Sequence, residues 1–135
     1  MKIFIDDIRL APEKYDLVFR TGESFLDWLK NNTSEQIELV SFDHDLGLDV
    51  IDGYELVKRM VEVPNQIERI QFHTDNLVGL KNMYMYIKNA QKHGLMPNLK
   101  KLRPKKIICI DGIETISNYY NANRWIEILD KRRKW

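Results

Sequence analysis

The chain has one cysteine, Cys109, set inside the apolar run Ile107-Ile108-Cys109-Ile110. An internal disulfide and a thiolate metal cluster are therefore excluded, and a buried, inert thiol is expected. No stretch approaches the roughly 18 consecutive apolar residues of a membrane span. The sequence begins with the charged, strand-like Met1-Lys2-Ile3-Phe4-Ile5-Asp6-Asp7 rather than a signal peptide, so a soluble, cytoplasmic protein without a membrane partner is expected. Also missing are a phosphate-cradling glycine loop, a Gly-x-Ser-x-Gly elbow and a paired-cysteine zinc spacing, which removes the usual sequence support for those enzyme classes. There are no internal repeats or low-complexity tracts. What remains is 135 residues, 44% hydrophobic, enough for one domain with a real core and too short for two. Residues 1–135 are read as that single domain.

The net charge of +1 hides an asymmetry. Residues 1–75 carry 8 Lys+Arg against 16 Asp+Glu, and residues 76–135 carry 13 against 4. An acidic site flanked by basic surface fits this split, as does a metal site that handles phosphates. Solvated charge concentrated in one basic connector and a basic tail is the alternative.

Short apolar runs alternate with amphipathic stretches. Strands are expected at Lys2–Ile5, Leu17–Phe19, Ile37–Asp43, Arg69–Thr74 and Lys106–Ile110. Thr21 is a plausible N-cap for a helix carrying Phe25, Trp28 and Leu29 and ending near Asn31-Asn32. Leu56/Met60 and Val57/Val61 mark a second helix, closed before Pro64. A third follows Asn76 through Leu77, Leu80, Met83, Tyr84 and Ile87 to about Lys92, with Gly94 as terminator. A basic connector, residues 95–106, leads to the fifth strand, which is expected to end at Asp111-Gly112. Ala122, Trp125, Ile126 and Leu129 form a last helical stripe before the tail at Lys131–Lys134.

This alternation predicts an α/β domain with a mainly parallel sheet, whose ligands bind outside the carboxyl ends of the strands. The residues that punctuate those ends become the candidates: Asp6, Asp7, Arg20, Asp43, His44, Asp45, His73 and Asp111. Asp6, Asp7, Asp43 and Asp45 converging from two strand ends would repel one another unless a cation or bound protons relieved them. Oxygen ligands in that number suit Mg²⁺ or Mn²⁺. For Asp45 a solvent-exposed turn is the competing reading. His44 and His73 could serve as general acid or base, or as half-buried imidazoles bonded to a neighbouring carboxylate. Arg9 and Arg20 are natural phosphate forks or ion-pair partners of the aspartates. The backbone near Asn76 could receive an anion.

"FIDD", "LVSFD" and "DGYELV" resemble the receiver domains of bacterial response regulators. Three departures stand against a simple receiver. Residues 8–15 are too short for its first helix, His73-Thr74 stands where it has Thr or Ser, and the fifth strand ends in Asp111-Gly112 where it would offer Lys. A closer resemblance is to cyclic-phosphate processing receiver-like domains, carried by "FIDDIRLAP", "VFRTGESFLDWL", "VSFDHDLG", "DGYELV" and "FHTDNLVGLKNM" over most of residues 3–83. The segments 95–106 and 115–135 are poorly covered. The resemblance implies a three-layer, receiver-like (flavodoxin-like) α/β/α fold with a five-stranded, mainly parallel sheet and a trimmed first crossover. It also implies a metal-dependent phosphoesterase acting on cyclic phosphates, at RNA ends or in cyclic nucleotide signals. Asp6, Asp7 and Asp43, with Asp45 beside them, would hold Mg²⁺ or Mn²⁺. His73 or His44 would protonate the leaving oxygen, and Arg9, Arg20, Thr74 and Asn76 would meet the substrate.

Two other functions compete. One is a non-catalytic, degenerate receiver that binds a ligand or docks on a host or partner protein, a dimer among its forms. The other is a phosphoaccepting receiver with Asp43 as acceptor, least favoured because of Asp111-Gly112.

Overall fold

A computed structural model describes residues 1–124 and 126–127. The elements are β1 (Lys2–Ile5), β2 (Leu17–Phe19), α1 (Gly22–Lys30), β3 (Gln36–Ile37), β4 (Leu39–Phe42), α2 (Gly53–Met60), β5 (Gln66–Ile67), β6 (Arg69–Phe72), α3 (Leu77–Lys92), β7 (Lys101–Ile110) and β8 (Ile113–Asn121). The main sheet runs β2-β1-β4-β6-β7-β8, parallel through β7 and antiparallel between β7 and β8, while β3 and β5 form a separate parallel pair. The parallel part is the doubly wound, receiver-like order expected from the sequence. The strand count is six plus the accessory pair, rather than five.

Each helix starts where a side chain can accept its first free N–H groups. Thr21 accepts from Ser24 N, Asp52 from Glu55 N and Asn76 from Gly79 N. Alternation along the strands then sorts the side chains by face. Ile3, Ile5, Val40, Phe42, Ile70 and Phe72 join the core formed with Phe25, Leu56 and Leu80 of the three helices. Phe4 and Leu39 face the other way, into a smaller cluster with Tyr15 and Cys109. The trimmed crossover at residues 7–16 and the β7–β8 hairpin cover part of that second face.

The hairpin revises the sequence reading. Asp111 (φ 52°) and Gly112 (φ 76°) are the two left-handed residues of its turn, the pattern that Asp-Gly favours. They do not end the last strand at the site. The basic stretch from Lys101 is the first half of β7 rather than a loop, and Pro104 sits where β7 slips register against β6 between the Ile70–Leu102 and Phe72–Lys106 pairs. The C-terminal stripe is helical at residues 122–124 and 126–127, with Ala122 and Ile126 packed on the main core. Trp125, Leu129 and the tail lie outside the described residues.

Gly53 lets α2 start against the end of β4. A Cβ there would lie 2.5 Å from the Asp43 carbonyl oxygen and 2.8 Å from His44 Cα, so the helix would have to retreat. Gly53→Ala is expected to destabilise the fold by about 2 kcal/mol, read as a lower midpoint in urea with an unchanged slope.

Candidate metal centre

Sheet register builds the site. Ile5 pairs with Phe42 and Phe42 with Phe72, so Asp6, Asp43 and His73 stand side by side, one residue past the paired ends of β1, β4 and β6. β1 has β2 on one side and β4 on the other, which makes the β1/β4 boundary the switch point where such sheets open a crevice. By alternation these three residues extend the row of Phe4, Ser41 and Gln71 on the second face. Gln71, an interruption in an apolar strand when read from sequence, belongs to this polar row.

Asp6 is fully buried. One of its oxygens accepts the backbone N–H groups of Ile8 (3.0 Å) and Arg9 (2.8 Å), and the other accepts Arg9 Nη1 (2.9 Å) and His73 Nε2 (2.9 Å). Burial alone raises its pKa, but the bonds from His73, from the Arg9 and Ile8 backbone and from the guanidinium outweigh it and hold the carboxyl well below the usual range. Asp43 accepts its neighbour's N–H, from His44, at 2.7 Å. Burial and the nearby Asp6 charge push its carboxyl up, against opposing effects from Thr74, His73 and Arg9. Asp6, Asp7 and Asp43 each present an oxygen within 4.8 Å of the others. Such an all-oxygen set fits a hard divalent cation, provided that the guanidinium moves. Arg9 Nη1, between Asp6 Oδ2 and Asp43 Oδ2 (3.2 Å), now supplies the positive charge, while its Nη2 reaches Asp75 Oδ2 at 2.7 Å.

These groups open on a cavity of about 310 Å³ lined by Asp7, Ile8, Arg9, Asp43, Asp45 and Asp75. Asp45 is on its rim, exposed and 3.1 Å from His44 Nδ1, and outside the cluster of three carboxylates. Neither His44 nor His73 lines the cavity. His44 is half-buried, with Nδ1 also 3.2 Å from Asn76 Nδ2, and its ring lies over Gly79.

His73 is buried beneath the acids, its ring stacked on Phe4 with centroids 4.3 Å apart. Gln71 Nε2 donates to Ser41 Oγ (3.2 Å), leaving the Ser41 hydroxyl proton for His73 Nδ1 (2.7 Å). His73 Nε2 then carries the proton given to Asp6. In this arrangement both ring nitrogens are engaged, one with Ser41 and one with Asp6, and the ring faces no solvent. The proton-donor role expected from sequence needs a group in the cavity, and the His73 ring lies outside its lining.

Arg20, exposed at its tip, donates from Nη1 to the carbonyls of Asp6 (3.1 Å) and Arg9 (2.7 Å). It clamps the loop after β1. Thr74 is buried, accepts Asn76 N (3.1 Å) and leaves its hydroxyl proton for Asp43, while Asn76 caps α3. Sequence reasoning missed Lys106 and Asp75. Lys106, level with Phe72 at the sheet edge, brings Nζ within 2.7 Å of Asp75 Oδ1. The Lys106 ammonium, joined by the Arg9 guanidinium, holds Asp75 below the ordinary carboxylate range against the opposing effect of burial. A lysine therefore does stand on the fifth parallel strand, level with the end of β6 although within β7, and the objection drawn from Asp111-Gly112 falls. The signal was available: Asp-Gly between alternating apolar residues marks a hairpin, which moves the functional end of the strand back toward Lys106.

No helix among the described residues is long and apolar enough to cross a membrane. No curated protein matches the chain. Residues 1–89 match the family model described as the cyclic-phosphate processing receiver domain. Because the match spans more than half of the chain and includes β1 through most of α3, with the carboxylates, Arg9 and His73 at their switch point, the chain belongs to the cyclic-phosphate processing receiver domain family.

Proposed function

We propose that this domain is a metal-dependent phosphoesterase that opens a cyclic phosphate, on an RNA terminus or a cyclic nucleotide. The observation that carries the reading is three carboxylate oxygens gathered within 4.8 Å beneath two cations, Arg9 and Lys106, that share Asp75. Asp6, Asp7 and Asp43 would hold Mg²⁺ or Mn²⁺. When bound, the ion would polarise the phosphodiester and lower the pKa of an attacking water.

The remaining roles fall to the chain. His73, set by Ser41, keeps Asp6 ionised and aimed, and Arg20 keeps the Asp6–Arg9 backbone in place. As a phosphate enters, the guanidinium and the ammonium exchange Asp75 for phosphoryl oxygens and balance the charge that develops there. The attacking water would give up a proton to solvent in the open cavity as its oxygen bonds to phosphorus, one ring P–O bond would break, and the leaving oxygen would take a proton from the same solvent.

The test is incubation with 2′,3′-cyclic-phosphate RNA and with cyclic nucleotides, in Mg²⁺ or Mn²⁺ and in chelator. Metal-dependent opening of at least one substrate is expected. A folded sample that turns over none of them would overturn the reading. His73→Gln is expected to weaken metal affinity by about 10–100-fold while leaving the shape of the pH–rate profile unchanged; loss of the acid-requiring limb would instead identify a proton donor.

One observation favours a second reading. Arg9 already neutralises Asp6 and Asp43, and a module that kept its acids paired in this way would bind phosphate ligands without turnover. Lys106 also restores a lysine to the phosphoaccepting alternative, for which labelling of Asp43 by acetyl phosphate is the control.

A further inference from the structure

The second face of the sheet carries another cavity, of about 290 Å³, away from the acidic crevice. It lies where the hairpin and the trimmed crossover leave the strands uncovered. Register explains its charge. Arg69 pairs with Lys101, and Lys2 pairs with Leu39 in the neighbouring strands, so cationic side chains from separate strands reach one face. Lys2, Lys14, Arg69 and Arg103 all line the cavity. Glu114 is the one acidic side chain among the lining residues, and Lys14 already takes it at 2.6 Å. Arg69 leans on Glu38, 3.9 Å away. The Lys2 and Arg103 side chains have no carboxylate partner among the described residues.

The floor has a different character. Half-exposed Ile116, with the nearly buried Leu39 and Ile107 behind it, supplies a small apolar patch, and Gln71 also lines the cavity. Cations beside a small apolar patch suit a ligand with an anionic end and a compact flat body. The volume is near the small end of ligand pockets, roughly 300–1,000 Å³, which suits a compact ligand.

We infer that this cavity is a binding site for a small organic phosphate of the nucleoside monophosphate class. Lys2, Arg69 and Arg103 meet the phosphate, and the body lies on the apolar patch at Ile116. The inference does not rest on the hydrolytic reading, because none of these residues contributes to the acidic cluster.

The experiment is an amide chemical-shift titration of the full ¹⁵N-labelled chain, in chelator, with AMP and separately with inorganic phosphate. Saturable shifts are expected for AMP at Leu39, Gln71 and Ile116, with Asp7 and Asp45 unmoved and inorganic phosphate weaker. Arg103→Glu is expected to weaken AMP by about tenfold or more, and Arg69→Gln, a milder change, by a smaller factor in the same direction. Four results would overturn the inference: no saturable shift up to about 10 mM AMP; shifts that map to the acidic crevice; phosphate binding as tightly as AMP; or AMP affinity unchanged in both variants. A single-stranded RNA without a terminal phosphate that displaces AMP from this face would overturn it too, in favour of a nucleic-acid groove.

Discussion

Asp43→Asn is expected to abolish metal-dependent turnover while raising the melting temperature of the metal-free protein. The two effects share one cause. Asp43 is buried beside the Asp6 charge, and burial and that charge together push its carboxyl above the ordinary value. A carboxyl held higher in the folded than in the unfolded chain costs stability once it ionises. The penalty is absent below the unfolded value, about 4, grows as pH rises through the window up to the folded value, and stays in full above it. Asn carries no such penalty, so the variant's advantage should appear across that window and persist at neutral pH. A gain of about 1 kcal/mol would raise the midpoint by roughly 2–4 °C for a chain of this size. The same substitution removes an anionic ligand, and metal affinity should fall by at least about 100-fold, roughly 2.7 kcal/mol. Calorimetric titration with Mn²⁺ and thermal melts in chelator read the two effects separately. A variant that loses stability, or binds metal as the native chain does, would contradict this assignment of Asp43.

Asp6→Ala is expected to do the reverse, costing stability before function can be asked. Its carboxylate accepts from two backbone N–H groups, a guanidinium and an imidazole, and its removal strands those donors in a buried setting. Breaking such an arrangement on one side costs about 3–5 kcal/mol, or a midpoint lower by roughly 10 °C. The pH dependence has the opposite sign to that of Asp43. Despite the opposing effect of burial, its donors hold the Asp6 carboxyl well below the usual range, so its contribution is full above the unfolded value of about 4 and fades as pH falls toward the folded one. The gap between native chain and variant in urea melts should therefore be widest near neutral pH and narrow in acid. A constant gap would mean that the loss comes from packing rather than from the charge.

The layout of this fold was legible where local chemistry decides it. Thr21 and Asn76 announce helices by their capping oxygens, and the apolar runs ending in Asp6 and Asp43 mark parallel strands whose ends meet. Register then does the rest, and register cannot be read from one strand. The identity of the third row member as a buried His73, bonded to Ser41 and Asp6, depends on Phe42 lying opposite Phe72. A histidine after a strand looks the same in sequence whether it faces the crevice or supports it from behind. Lys106 was missed for a related reason. A run of basic residues around Pro104 reads as a connector, yet β6 recruits it as a strand with a slipped register. The second-face cavity is a product of what is missing, since the short stretch after Asp7 leaves no helix there. That gap was visible in sequence, but the cations it uncovers come from β1, β6, β7 and the loop before β2, and only the assembled sheet brings them together.

The central claim is that Asp6, Asp7 and Asp43 form a divalent-cation site from which Arg9 must withdraw. A crystal of the protein soaked in Mn²⁺, with anomalous difference density collected, tests it most directly. The expected result is a peak bound by the three carboxylates, with the Arg9 guanidinium turned away from Asp6 and Asp43 and kept by Asp75. Absence of a peak at saturating Mn²⁺, with Arg9 still bridging Asp6 and Asp43, would contradict it.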